Sequence, residues 1–262
     1  MKSPFFHVKN LAVASVLVLG TSLNASVISW TTTDLAAGGN NDAFISTNGT
    51  SVLAFNGSNT DTGTVVANGV TFQNLNGGAN DAVPSPTFTD GGVTFTASNG
   101  TGNFSSFQAG SLSDPNIAPL LQGGIFNVPS VSLSGLTPGT QYEIQLIIND
   151  SRTGGNRPSG SWNMGINDGS GTTVAVVGAL QNATNNTGDF FTGTFTADAT
   201  GIQGFDMTAT RTGNISVGDD ISVVPNGGQR QINAFQLRAV PEPSSALLLG
   251  LAGLGFIVRR RK

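Results

Sequence analysis

Glu242 stands between Pro241 and Pro243, 20 residues from the C-terminus of this 262-residue chain. Proline has no amide donor and a fixed φ, so neither a helix interior nor a central strand can contain this segment. Val240-Pro241-Glu242-Pro243 therefore presents one carboxylate on an extended, accessible stretch. Ser244 or Ser245 can cap a following helix. The run 246–258 is apolar all round, and Arg259, Arg260, Arg261 and Lys262 close the chain. Such a helix suits lipid, and the terminal cations stop translocation and stay cytoplasmic. The expected plan is a motif at 240–243, a transmembrane helix at 244–258 and a basic stop at 259–262. Its apolar run of 13 residues is about 20 Å long as a helix, short of a bilayer core of about 30 Å. That shortness fits a temporary anchor better than a permanent one.

Elsewhere the reactive inventory is thin. Between the two ends lies a body, residues 26–239, with five arginines, fourteen acids and a net charge of −9, against −4 for the whole chain. It has no lysine, histidine or cysteine. These absences exclude a Ser-His-Asp triad, a Cys-His pair and a typical zinc site. They also exclude a Schiff base and a phosphate-binding P-loop. A surface this acidic will not attract nucleic acid, whose binding rests on neutralising phosphates.

Carboxylate-pair chemistry survives, but Glu143 is the body's only glutamate. It alternates with Tyr142, Ile144, Leu146 and Ile148 in a strand-like run, so it reads as a solvated strand residue. No catalytic residue, no cofactor and no enzymatic activity are expected. Metal binding stays open. Asp168 and the Asp219-Asp220 pair each offer fewer oxygens than the six to eight calcium takes, while a site built from separated loops is conceivable. Asp150 and Arg152, at the end of the strongest strand, and Arg157 with Trp162 are the candidate ligand-binding residues. Each also has a structural reading: ion pairing or backbone capping for the charges, core packing for the tryptophan.

The N-terminus has the layout of a secretory signal peptide. Lys2, His7 and Lys9 precede the apolar core 11–19, and small and polar residues lead to Leu23-Asn24-Ala25-Ser26. Cleavage between Ala25 and Ser26 is expected, with passage through Sec-type export machinery. The expected organisation is a signal peptide at 1–25, one domain at 26–239 and the tail at 240–262.

The body alternates short Val, Ile, Phe and Thr runs with Gly- and Asn-rich turns, which predicts strands. Those expected are 27–32, 51–55, 64–66, 70–75, 92–97, 130–133, 141–149, 161–166, 172–177, 190–197, 204–210 and 231–239. Phe191, Gly193, Phe195 and Ala197 share one face and the intervening threonines the other. This period of two predicts antiparallel sheets with one buried face. Asn68-Gly69 and Asp90-Gly91-Gly92 each lead into Gly-Val-Thr-Phe, as tight turns entering strands. The only helix-like signal is a turn near 119–122. Two packed sheets accommodate this many strands, so the expected fold is all-β, an antiparallel, jelly-roll-like β-sandwich.

The C-terminal arrangement of Pro241-Glu242-Pro243, apolar helix and terminal arginines resembles the PEP-CTERM sorting signal of exported bacterial proteins. That resemblance implies processing near Pro241-Glu242-Pro243 by an exosortase-type membrane enzyme. The stretches 68–72, 136–152, 191–197 and 232–238 resemble a β-rich domain type found ahead of such tails, with some similarity to galactose-binding-like sandwiches. This second resemblance implies a fold and no activity. The reading that follows is an exported, non-enzymatic surface or extracellular-matrix protein. It is held at the inner membrane, then released to the surface or matrix, where extracellular polysaccharide is the partner this reading names. The alternative is a secreted carbohydrate-binding module, which would expose an aromatic residue such as Trp162 or Trp30 beside polar loops.

Overall fold

The computed structural model describes residues 26–34, 41–57, 64–75, 85–98, 114–121, 123–148, 161–167, 173–176, 189–212 and 230–241. In chain order the strands are β1 (Ser29–Asp34), β2 (Thr50–Asn56), β3 (Val65–Ala67), β4 (Val70–Asn74), β5 (Thr87–Asp90) and β6 (Val93–Ser98). Next come β7 (Ile125–Phe126), β8 (Ser130–Ser134), β9 (Gln141–Ile148), β10 (Ser161–Asn167) and β11 (Thr173–Val176). The last are β12 (Asp189–Thr196), β13 (Ile202–Thr212), β14 (Gln231–Ile232) and β15 (Ala234–Val240). Among the described residues, helix is confined to a 3₁₀ turn at Asn41–Phe44 and one α-turn, α1 (Ala118–Leu121).

Seven strands form one sheet in the order β1-β12-β9-β15-β2-β4-β3, and six form a second in the order β11-β10-β13-β8-β6-β5. Strands β7 and β14 make a small ribbon. The sheets face each other across an aromatic core. Phe55 (β2) and Phe235 (β15) stack at 5.4 Å, and Phe95 (β6) lies 4.8 and 4.7 Å from their rings. Trp30 (β1) meets Phe205 (β13) edge-on at 5.3 Å. Among the described residues the fold is mostly β, in two sheets as expected, with one departure from purely antiparallel pairing. Strand β4 runs parallel to β2, Phe55 opposite Gln73, because the β3–β4 hairpin docks by its second strand.

The turns carry the backbone signs that their residues allow. Asn68 and Gly69 have φ of 45° and 74°, and Gly91 and Gly92 have 54° and 85°. Two consecutive left-handed residues match the right-handed twist of a hairpin. Thr137-Pro138-Gly139-Thr140 turns with Gly139 at φ 77°, and the Thr140 N–H donates to Thr137 O at 3.2 Å. The Tyr142 hydroxyl accepts from the Thr137 N–H at 3.0 Å, tying this turn to β9. Asp90-Gly91-Gly92 connects β6 to β5, a strand absent from the sequence-based set.

Alternation along β12 buries Phe191 and Phe195 with Ala197 beyond the strand, as expected. Gly193 sits among them because Trp30 fills its place: a Cβ there would lie 2.7 Å from the indole ring and from Ile28 Cγ2. Overpacking of this kind costs about 1–3 kcal/mol. Gly193→Ala is therefore expected to lower the melting temperature by about 2–12 °C in a domain of this size, measured by circular dichroism.

Candidate sorting site

The tail leaves the fold from its interior. Strand β15 lies between β9 and β2, paired along its length with both. Phe235 and Leu237 point into the core between the sheets. Ala234, Gln236 and Arg238 occupy the other face, where a second apolar cluster forms beneath the segments 41–45 and 117–121. The strand ends at half-buried Val240, opposite Gln141, and exposed Pro241 follows at once. Proline cannot extend the ladder, so the pairing stops where the motif begins. No linker separates the sheet from the motif.

Polar side chains on the outer face of β15 and β9 hold the segment that covers them. The Gln145 amide oxygen accepts from the Ser46 N–H at 2.8 Å, and its amide nitrogen donates to Phe44 O at 2.9 Å. Gln236 donates to Ser46 O at 3.1 Å and to Gln145 Oε1. Arg238 Nε donates to Asn48 O at 2.6 Å, and its Nη2 donates to Thr47 O at 3.2 Å and Gly49 O at 2.8 Å. Gly49 has φ 63°, and a Cβ on it would lie 2.0 Å from Ala239 O, so the loop rests directly on β15. Burial pushes the Arg238 guanidinium below its ordinary value, and the Glu143 charge across the ladder partly offsets this.

Glu143 itself is buried, which corrects the solvated reading. Strand alternation placed it on the outer face, and the 41–49 loop then covered that face. Nothing periodic in 41–49 announces this role. Trp30 is likewise buried at 9 % exposure against Phe205, so it presents no stacking surface to a sugar.

Asp114 pins the covering segments together. Its Oδ2 accepts from the N–H groups of Asn41 (2.8 Å) and Asp42 (3.0 Å), and its Oδ1 from those of Asn116 (2.9 Å) and Ile117 (3.4 Å). Asn116 Nδ2 donates to Asp42 Oδ2 at 2.9 Å. Burial opposes ionisation, but the backbone donors outweigh it and hold the Asp114 carboxyl below the usual aspartate value.

The start of the domain lies at the same end of the sheet as the start of the tail. The Ser26 hydroxyl donates to Thr196 O, Thr196 pairs with Gln141 and Gln141 with Val240. Ser26 and Val240 are therefore three strand spacings apart, about 15 Å at about 4.8 Å each. Both chain ends of the domain emerge from one end of the seven-stranded sheet. Ala25, Glu242, Pro243, Arg259, Arg260, Arg261 and Lys262 lie outside the described residues. So do the signal and transmembrane segments, Asp150, Arg152, Arg157, Asp168, Asp219 and Asp220. Trp162 lies on β10 opposite Arg211, with only its backbone described. Among the described residues, no three His, Cys, Asp or Glu side chains cluster as metal ligands, and no helix is long and apolar enough to cross a membrane.

Residues 239–262 match the family profile of the PEP-CTERM protein-sorting motif. The chain carries a PEP-CTERM sorting tail. That tail implies an exported protein, membrane-anchored before it is sorted, with an exosortase-type enzyme as its processing partner. The match begins at Ala239, so the last two paired residues of β15 already belong to the PEP-CTERM segment.

No curated protein matches the sequence. Among solved structures, the β-glucuronidase of Bacteroides uniformis is similar at 15% identity and a TM-score of 0.35, over 72% of this chain and 18% of that one. The ANX2 ectodomain from Arabidopsis thaliana is similar at 14% identity and a TM-score of 0.37, over 74% of this chain and 50% of that one. The chain thus spans about half of the plant ectodomain and under a fifth of the enzyme.

A depressed aspartate contributes stability that is full above its unfolded value, about 3.9, and lost as pH falls through the lower folded value. Urea melts of the native chain should therefore weaken from about pH 4 downward. Asp114→Ala should cost about 0.5–2 kcal/mol at neutral pH, as lost caps do, and flatten part of that acid decline.

Proposed function

We propose that this chain is an exported, non-enzymatic surface or extracellular-matrix protein, delivered through its C-terminal tail. The observation that carries the reading is the PEP-CTERM match at 239–262, continuous with an exposed Pro241 at the end of β15. In this reading Sec-type machinery exports the chain, and the signal peptide is cut between Ala25 and Ser26. A helix at 244–258, stopped by 259–262, then holds the domain at the outer face of the inner membrane. The exosortase-type enzyme acts near Pro241-Glu242-Pro243, and the domain passes to the surface or matrix.

The emergence of Ser26 and Val240 from one end of the sheet supports this order of events. A domain whose two membrane-linked ends lie together can stand on the bilayer by that end, before and after signal cleavage, without turning over. The body's lack of histidine, cysteine and lysine supports a non-enzymatic role. The chain's repeated crossing between two facing sheets supports a jelly-roll-like reading of the sandwich.

Mass spectrometry of membrane and secreted fractions tests the proposal. The expected native product begins at Ser26 and lacks the residues after the Pro-Glu-Pro segment, while Glu242→Ala stays in the membrane. Equal retention of both chains with Arg259 to Lys262 intact would remove the processing step and leave a simple anchor.

A further inference from the structure

The two outer faces of the sandwich differ. The 41–49 loop and α1 cover much of the seven-stranded sheet. On the six-stranded sheet, strands β5, β6 and β8 turn Phe88, Val93, Phe95, Ala97, Val131 and Leu133 toward the core. Every residue they turn the other way is serine or threonine. The register sets these hydroxyls in straight rows. Thr96 lies between Thr87 and Ser132, and Thr94 between Thr89 and Ser134. A third row starts with Ser98 opposite Ser130. All are exposed or half-exposed, and the Thr89 and Thr94 hydroxyls are in contact at 2.9 Å.

Neighbouring rows on one face of a strand are about 6.8 Å apart, and neighbours across strands about 4.8 Å. The result is a regular lattice of groups that each donate one hydrogen bond and accept up to two. It contains no charged side chain. On β13 the rows end at exposed Ile202 opposite Ser134, Gly204 opposite Ser132 and exposed Asp206 opposite Ser130, so the hydroxyl lattice proper spans β5, β6 and β8. Exposed protein surfaces ordinarily mix charges of both signs. Here the dehydration cost of a charged group is absent, while hydrogen-bonding capacity is retained.

We infer that this hydroxyl face is a docking surface for an uncharged polysaccharide chain. The complementarity is chemical: a neutral polyol offers the same alternation of donors and acceptors, and neither side must strip water from an ion. A polyanionic polymer fits poorly, because the rows hold no cation and Asp90 and Asp206 lie at their border. The inference deepens the surface-or-matrix reading and rests on it for the protein's location, but binding and sorting can fail separately.

The test uses the full chain in detergent micelles, sedimented with two insoluble neutral probes, cellulose and curdlan, and with alginate beads as an anionic probe. The native chain is expected to sediment with at least one neutral probe and not with alginate. A Thr96→Lys/Ser132→Lys variant should lose retention by about tenfold, the factor set by a lost hydrogen bond of ordinary net strength. Thr71→Lys, an exposed position on β4 in the other sheet, should leave retention unchanged. Thr96→Val/Ser132→Ala keeps the strand shape and should weaken retention in the same direction, which decides the matter if the lysines disturb folding. Absence of native binding to both neutral probes, or undiminished binding in both double variants, would overturn the inference. So would dimerisation in the ultracentrifuge that the lysines abolish, since a second copy would then be the occupant. Tail processing of these variants should stay native, which separates loss of polymer binding from loss of sorting.

Discussion

Double pairing of β15 is the constraint on which the rest of the structure depends. One strand serves β9 on one edge and β2 on the other, stacks Phe235 against Phe55 and Phe95 on its inner face, and presents Arg238 on its outer face. Without it the seven-stranded sheet would divide into two pieces and the aromatic core would lose its middle ring. This strand is also the one that continues into the PEP-CTERM segment. The same few residues therefore complete the domain and present the tail, and neither task needs a linker.

Arg238 shows how the two tasks are joined. A guanidinium with several donors fixed in a plane can hold successive carbonyls that a lysine could not, and it grips Thr47, Asn48 and Gly49. That grip covers a face of β15 that would otherwise be open to water. Burying the charge is costly, and Glu143 opposite reduces the cost. The pair lies within a few residues of Pro241, so the end of the strand is held firmly up to the point where the motif starts.

Sequence pattern revealed the strands whose faces alternate and the turns whose residues require left-handed φ. Phe191 and Phe195 in β12, Asn68-Gly69 and Pro138-Gly139 were readable because local chemistry dictates them, whereas the need for Gly193 comes from Trp30, a tertiary neighbour. The covering loop was not, because Ser46, Thr47 and Asn48 contribute backbone groups, which any sequence supplies. Glu143 was misread for the same reason: alternation tells which face a residue takes, and not what later lies on that face. Strand β5 was missed as a four-residue run, although Thr-Phe-Thr before Asp-Gly-Gly mirrors Val-Thr-Phe after it. The sorting motif was legible, and the family match at 239–262 bears it out, since its prolines, apolar run and terminal cations are a local pattern rather than a set of tertiary contacts.

Hydrogen–deuterium exchange along the full chain tests the central claim most directly. If β15 anchors both the sheet and the tail, amides of residues 234–240 exchange with the slowest group, together with those of 142–148. Protection then ends abruptly at Pro241. Exchange of 234–240 as fast as that of the Asn68-Gly69 turn would contradict the account, because the tail would then leave from a loosely held edge and not from the centre of the fold.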